Sequence, residues 1–196
     1  MSFLEDNFIE NHIIEHSNLL RIIKSDYLTD IKLICKEISE AVINESTIFF
    51  CGNGGSAADS QHLAAELVGR FENERKPLKA IALTVDSSIL TCVSNDYSFD
   101  DIFSRQIEAL SKPKDILVLL STSGKSMNII KAANTAKLRG LKTIALLGKD
   151  GGDVKKIVDL NLVIPSFSTA RIQEMHILIG HIICSFIDKE IFHDYD

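Results

Sequence analysis

What the sequence lacks narrows it first. No apolar run reaches the ~20 residues that a helical membrane span needs, so no such span is expected. The four cysteines, Cys35, Cys51, Cys92 and Cys184, form no CxxC pair. They sit in apolar surroundings and are expected to be buried free thiols of a reducing compartment. The opening MSFLEDNFIE is acidic and amphipathic, unlike a secretory leader. No repeat, low-complexity segment or linker interrupts the chain. Its three prolines, Pro77, Pro113 and Pro165, all fall between periodic segments. A net charge of -6 argues against a nucleic-acid-coating surface.

What remains is a globular composition. Hydrophobic residues make up 45% and charged residues 24% of 196 positions, enough for one domain with a real core. The first third is helical by periodicity. Phe3, Phe8, Ile9, Ile13, Leu19, Leu20, Ile22 and Ile23 recur at helical spacing, and a second helix is expected over 26–43. Apolar residues cover more than one side, as at a subunit interface or in a helical layer beneath the rest. Residues 1–45 are therefore read as interface helices and 46–196 as the core.

From Thr47 the period changes. TIFFC, KAIALT, DILVLLS, LKTIALLG and DLNLVIPS are strand-length apolar runs. Helical stretches separate them at 57–69, 100–110, 127–139 and 169–190. Continuous apolar strands alternating with helices mean a parallel sheet covered on both faces. The expected fold is α/β, a three-layer α/β/α sandwich with a central five-stranded parallel sheet and flavodoxin-like topology. Ligands of such folds gather at the carboxyl ends of the strands.

Two loops at those ends stand out, CGNGGSAADS and STSGKSMN. Both are rich in glycine and hydroxyl residues, and both open a helix. Outward-pointing N–H groups, hydroxyl donors and close backbone approach suit a phosphate. Ordinary helix capping by Ser and Asn is the plainer alternative, but two such loops in one sheet favour an anion. The Gly-Lys-Ser of the second loop is not a P-loop, because the position five before Gly124 is Leu119. The first loop places Ala57 three residues after Gly54, a near fit to a dinucleotide fingerprint. No ribose-reading residue follows at the end of the next strand, so no nucleotide cofactor is expected.

His62 and Glu66 stand four apart, on one helical face. They suit a salt-bridge ladder, a metal or a proton-transfer pair. Gln173, His176 and His181 share a later helix that is otherwise apolar. A buried histidine there is, by itself, more often structural than catalytic.

Five ordered blocks then converge: CGNGGSAADSQHLAAELVGRF, SNDYSFDDIFSRQIEAL, STSGKSMNIIKAANTAKLRG, ALLGKDGG and TARIQEMHILIGHIICSFID. Together they resemble the phosphoheptose isomerases of the sugar-isomerase (SIS) domain family, from about Thr47 to the C-terminus. The resemblance implies a cytoplasmic homotetramer with active sites between subunits. It implies interconversion of D-sedoheptulose 7-phosphate and D-glycero-D-manno-heptose 7-phosphate, for lipopolysaccharide core or capsule. It makes Asn53, Gly54, Gly55, Ser56, Asn95, Asp96, Ser121, Thr122, Ser123, Ser126 and Gln173 substrate contacts. It makes Glu66 and His181 the acid/base pair, and His62, Glu66, Gln173 and His181 the ligands of one zinc per subunit. Lys125 departs from the asparagine expected there. A non-catalytic relative, binding the replication initiator DnaA or sensing a sugar phosphate, is the rival; the complete His62, Glu66, Gln173, His181 set favours the enzyme.

Overall fold

The strands pair as their apolar runs predict. A computed structural model describes residues 6–193; Phe3 lies outside them. Five strands, β1 (Ile48–Gly52), β2 (Ala80–Ala82), β3 (Ile116–Ser121), β4 (Lys142–Gly148) and β5 (Leu160–Ile164), form one sheet in the order β2-β1-β3-β4-β5. All neighbours are parallel, and β1 registers on β3 with Ile48 opposite Ile116 and Gly52 opposite Leu120. This is the flavodoxin order, with its crossover between β1 and β3.

Alternation along each strand divides the core in two. Ile48, Phe50, Ile116, Val118, Leu120, Ile144 and Leu146 face one layer. Its helices are α1 (Asp6–Asp26), α2 (Leu28–Ile43), α3 (Gly55–Val68) and α8 (Thr169–His193). Phe49, Cys51, Leu117, Leu119, Ala145 and Leu147 face the other. That layer holds α4 (Ser87–Asp96), α5 (Ser104–Leu110), α6 (Met127–Leu138) and α7 (Val154–Ile157). Fully buried β1, β3 and most of β4 explain why their sequences read as unbroken apolar runs.

The N-terminal helices bind the core unevenly. Leu19, Ile23, Ile31, Ile34, Ile38 and Val42 are buried, and the Tyr27 hydroxyl donates to the Val163 carbonyl at 2.8 Å. Phe8, Ile9, Ile13 and Ile14 on α1 remain exposed. Among the described residues no helix is long and apolar enough to cross a membrane. Three cysteines are buried as expected, but Cys92 is exposed. Its helix, α4, lies on the surface and buries only Val93. The short β2 ends before the expected Leu83–Thr84, although Leu83 N still donates to the Phe50 carbonyl at 2.9 Å.

Candidate active site

The loops after β1 and β3 sit side by side because those strands are neighbours at the topological switch point. Between them lies a cavity of about 300 Å³. Asn53, Gly54, Gly55 and Ser56 border it from one loop, and Ser121, Thr122, Ser123 and Ser126 from the other. Thr169 and Gln173 close it from the first turn of α8.

The capping alternative fails on geometry. Gly54 and Ser126 occupy the N-cap positions of α3 and α6, and neither makes a side-chain cap. By contrast, Asp86 caps α4 through Ile89 N. Ser121 Oγ accepts from Gly124 N at 3.0 Å, and Ser123 Oγ accepts from Lys125 N at 3.2 Å. These bonds shape the second loop and leave the hydroxyl hydrogens free to donate. Gly124 turns at φ +61°, and a Cβ there would meet the Gly151 carbonyl. Two helix N-termini and several hydroxyls thus converge on one small space, which suits an anion.

A second cluster lies further along α3 and α8. His62 Nε2 is 3.1 Å from Glu66 Oε1 and 2.9 Å from His181 Nε2. One ligand atom from each of the three residues lies within 4.8 Å of the others. Phe71 stacks on His181, with ring centroids 5.6 Å apart. Close helix approach makes this meeting possible. A Cβ on Gly180 would strike Leu63, and a Cβ on Gly55 would strike the Gln173 amide. The two glycines therefore let α8 touch α3 at its start and two turns further on.

A buried clamp fixes the far end of α3. Asp188 on α8 accepts from Arg75 Nε at 2.6 Å and from the backbone N–H groups of Glu72 and Asn73. Arg75 also donates to the Glu66 and Leu67 carbonyls, satisfying the last turn of α3. Burial alone would raise the Asp188 carboxyl; the bonds from Arg75, Asn73 and Glu72 outweigh it and hold it below the usual carboxylate range.

Two nitrogens and a carboxylate oxygen converging this way fit zinc, whose catalytic sites commonly take three protein ligands of this kind. Gln173 shares α8 with His181 but sits eight residues earlier, about 12 Å along the axis, at the anion cavity. His176 behaves as a structural histidine. It is fully buried, donates from Nε2 to the Leu147 carbonyl at 3.0 Å, and burial lowers its pKa to about 4.

Other expected residues are placed differently. Asn95 and Asp96 are exposed at the end of α4, where Asn95 Nδ2 donates to Asp96 Oδ1 at 2.7 Å; neither borders the cavity. Lys125 ion-pairs with Asp150 at 3.0 Å, both side chains exposed. A larger cleft, about 920 Å³, lies at the opposite ends of the strands. Within it Lys142 pairs with Glu37 and Lys137 with Asp159, and it holds none of the candidate site residues. Sequence reasoning missed Thr169, Arg75, Asp188 and Asn128. The last is 1% exposed and bonded to Asn53.

Comparison with known proteins agrees with this fold. The SIS domain family model matches residues 12–148. A phosphoheptose isomerase of Nitratiruptor sp. is 51% identical over 184 residues, covering 92% of this chain and 97% of that protein. The chain belongs to the SIS domain family, in its phosphoheptose isomerase branch. Among solved structures, the phosphoheptose isomerase of Neisseria gonorrhoeae superposes with a TM-score of 0.88 at 39% identity, covering 94% of this chain and 98% of that one. The enzyme from Francisella tularensis gives 0.89 at 36% identity, covering 92% and 96%. The two-loop cavity thus belongs to a SIS domain. The non-catalytic alternative is not favoured beside relatives named as isomerases.

Proposed function

We propose that this protein is an aldose–ketose isomerase that interconverts D-sedoheptulose 7-phosphate and D-glycero-D-manno-heptose 7-phosphate. The observation that carries the reading is the His62–Glu66–His181 cluster, two imidazoles and a carboxylate within 4.8 Å, in a domain that also builds an anion cavity. The serine loop, with Gly54, Gly55 and Ser56, holds the phosphate and so fixes the reacting carbons. Glu66 takes the proton from the carbon beside the carbonyl and returns it to the neighbouring carbon. His181 moves the proton between the two oxygens, and the intermediate is an enediolate. Asn95 and Asp96, which do not border this chain's cavity, would reach the substrate only from a neighbouring subunit.

His62, Glu66 and His181 would hold one zinc per subunit, and Gln173, which lines the anion cavity, is left as a substrate contact. Bound zinc supplies Lewis-acid polarisation of the substrate oxygens. The exposed α1 residues Phe8, Ile9, Ile13 and Ile14 support assembly into a homotetramer with sites between subunits. The reaction is assigned to the cytoplasm, where it feeds lipopolysaccharide core or capsule heptose.

The test is turnover of sedoheptulose 7-phosphate by wild type, Glu66→Gln and His181→Gln. Glu66→Gln is expected to lose about 10²–10⁴-fold in kcat while retaining phosphate affinity. A folded wild type that binds the sugar phosphate without forming product would overturn the reading.

A further inference from the structure

The two anion loops are joined by one side-chain pair. Asn53 Nδ2 donates to Asn128 Oδ1 at 2.9 Å, and Asn128 Nδ2 donates back to Asn53 Oδ1 at 2.9 Å. The partners are 75 residues apart in sequence. Asn53 opens the first loop: its carbonyl accepts from Ser56 N, and Gly54 follows at φ +57°. Asn128 is the second residue of α6, two positions after the open N-cap at Ser126. It is 1% exposed and reaches no part of the cavity wall.

We propose that Asn128 is a positioning residue for the phosphate site, and that the Asn53 side chain serves this clasp instead of reading the substrate. The proposal rests on the sugar-phosphate reading above. Two helix N-termini can share one anion only while their spacing stays within a few tenths of an ångström of hydrogen-bonding distance. Backbone ladders fix β1 against β3, but both end before the loops begin. Beyond them the reciprocal amide pair sets the spacing between the start of α3 and the start of α6. Its matched donor and acceptor edges make it specific. A carboxylate at either position would face the partner's Oδ1 and repel it, whereas a protonated carboxyl would restore both bonds.

That chemistry supplies the test. Asn128→Asp and Asn53→Asp are made separately and checked for folding by circular dichroism. Affinity for inorganic phosphate is measured by NMR titration, and turnover of sedoheptulose 7-phosphate gives kcat and KM. At alkaline pH both variants are expected to lose roughly tenfold in phosphate affinity, with KM raised alike and kcat nearly unchanged. Both losses shrink as the pH is lowered and the new carboxyl protonates. If either variant unfolds, Asn128→Ser, which keeps a hydroxyl in the same space, replaces it, and the same affinity loss without pH recovery is expected. Unchanged phosphate affinity in a folded Asn128 variant would overturn the proposal. So would an Asn53→Asp that collapses kcat while Asn128→Asp does not, because Asn53 would then touch the substrate. A wild type that binds phosphate but turns nothing over sinks the isomerase reading and leaves the clasp testable by affinity alone.

Discussion

His176 should make the fold acid-labile by an amount that can be worked out. Its side chain is fully buried; Nε2 donates to Leu147 and Nδ1 has no partner among the described residues. Burial holds its pKa near 4, against 6.5 in the unfolded chain. The unfolded chain therefore binds the extra proton between these values. Stability is fully present above the unfolded value and is lost as pH falls. At 1.36 kcal/mol per pKa unit, the loss reaches about 2.5 kcal/mol near pH 4.5. Against a total of roughly 5–15 kcal/mol that is a large fraction. His176→Gln keeps an N–H for the Leu147 carbonyl and does not titrate. Urea unfolding followed by circular dichroism, from about pH 7 to about pH 4.5, gives both stability curves. The variant is expected to start about 1 kcal/mol below wild type, through altered packing, and to overtake it in acid. Parallel curves would refute the reasoning and mean that His176 reaches a proton partner in the fold.

Three further outcomes follow from the site. Gly124→Ala must hold φ +61° and displace the Gly151 carbonyl; it should cost about 1–2 kcal/mol and raise KM more than kcat, read by denaturation and kinetics. Asp188→Asn leaves Arg75 buried without its counter-charge; a loss of about 3–5 kcal/mol is expected, only partly recovered in the double variant Arg75→Met, Asp188→Leu, which strands the backbone groups of Glu66, Leu67, Glu72 and Asn73, as urea midpoints will show. Mixing two inactive proteins tests site sharing: Glu66→Gln refolded with a Ser123→Ala, Ser126→Ala double variant should regain about a quarter of wild-type activity by random pairing if each site draws its loops and its cluster from different subunits. Within-chain sites would regain none.

Much of the fold was legible because buried parallel strands carry an unmistakable pattern. β1 and β3 are buried at every position, so their apolar runs needed no alternation to be seen. Helix α4 left no such trace. It buries only Val93, so its single signal was Asp86 followed by two serines, a capping pattern that goes unnoticed without an apolar stripe behind it. His62 and Glu66 were legible because their relation is local, one turn of one helix. Their meeting with His181 was not legible in spacing and came only through the family resemblance. It depends on Gly180 meeting Leu63 across 117 positions, and a glycine inside a helix does not announce which neighbour it admits. Asn128 was missed for the same reason: an asparagine near a helix start reads as local capping until its partner in a distant loop is seen.

The arrangement has a mechanical logic that joins these parts. Parallel topology sets the N-terminus of every crossover helix at one end of the sheet, so α3 and α8 both begin at the anion cavity and run away from it side by side. Gly55 admits Gln173 at that end, and Gly180 admits Leu63 two turns later, beside His62 and His181. Arg75 and Asp188 then lock the far end. A group on α3 can therefore shift relative to α8 only if one of three contacts gives way. Binding energy collected at the phosphate can serve the chemical step only when the reacting groups are held in a fixed frame. The helix pair is that frame, which is why residues that never approach the substrate, Arg75 and Asp188 among them, should alter kcat as well as stability.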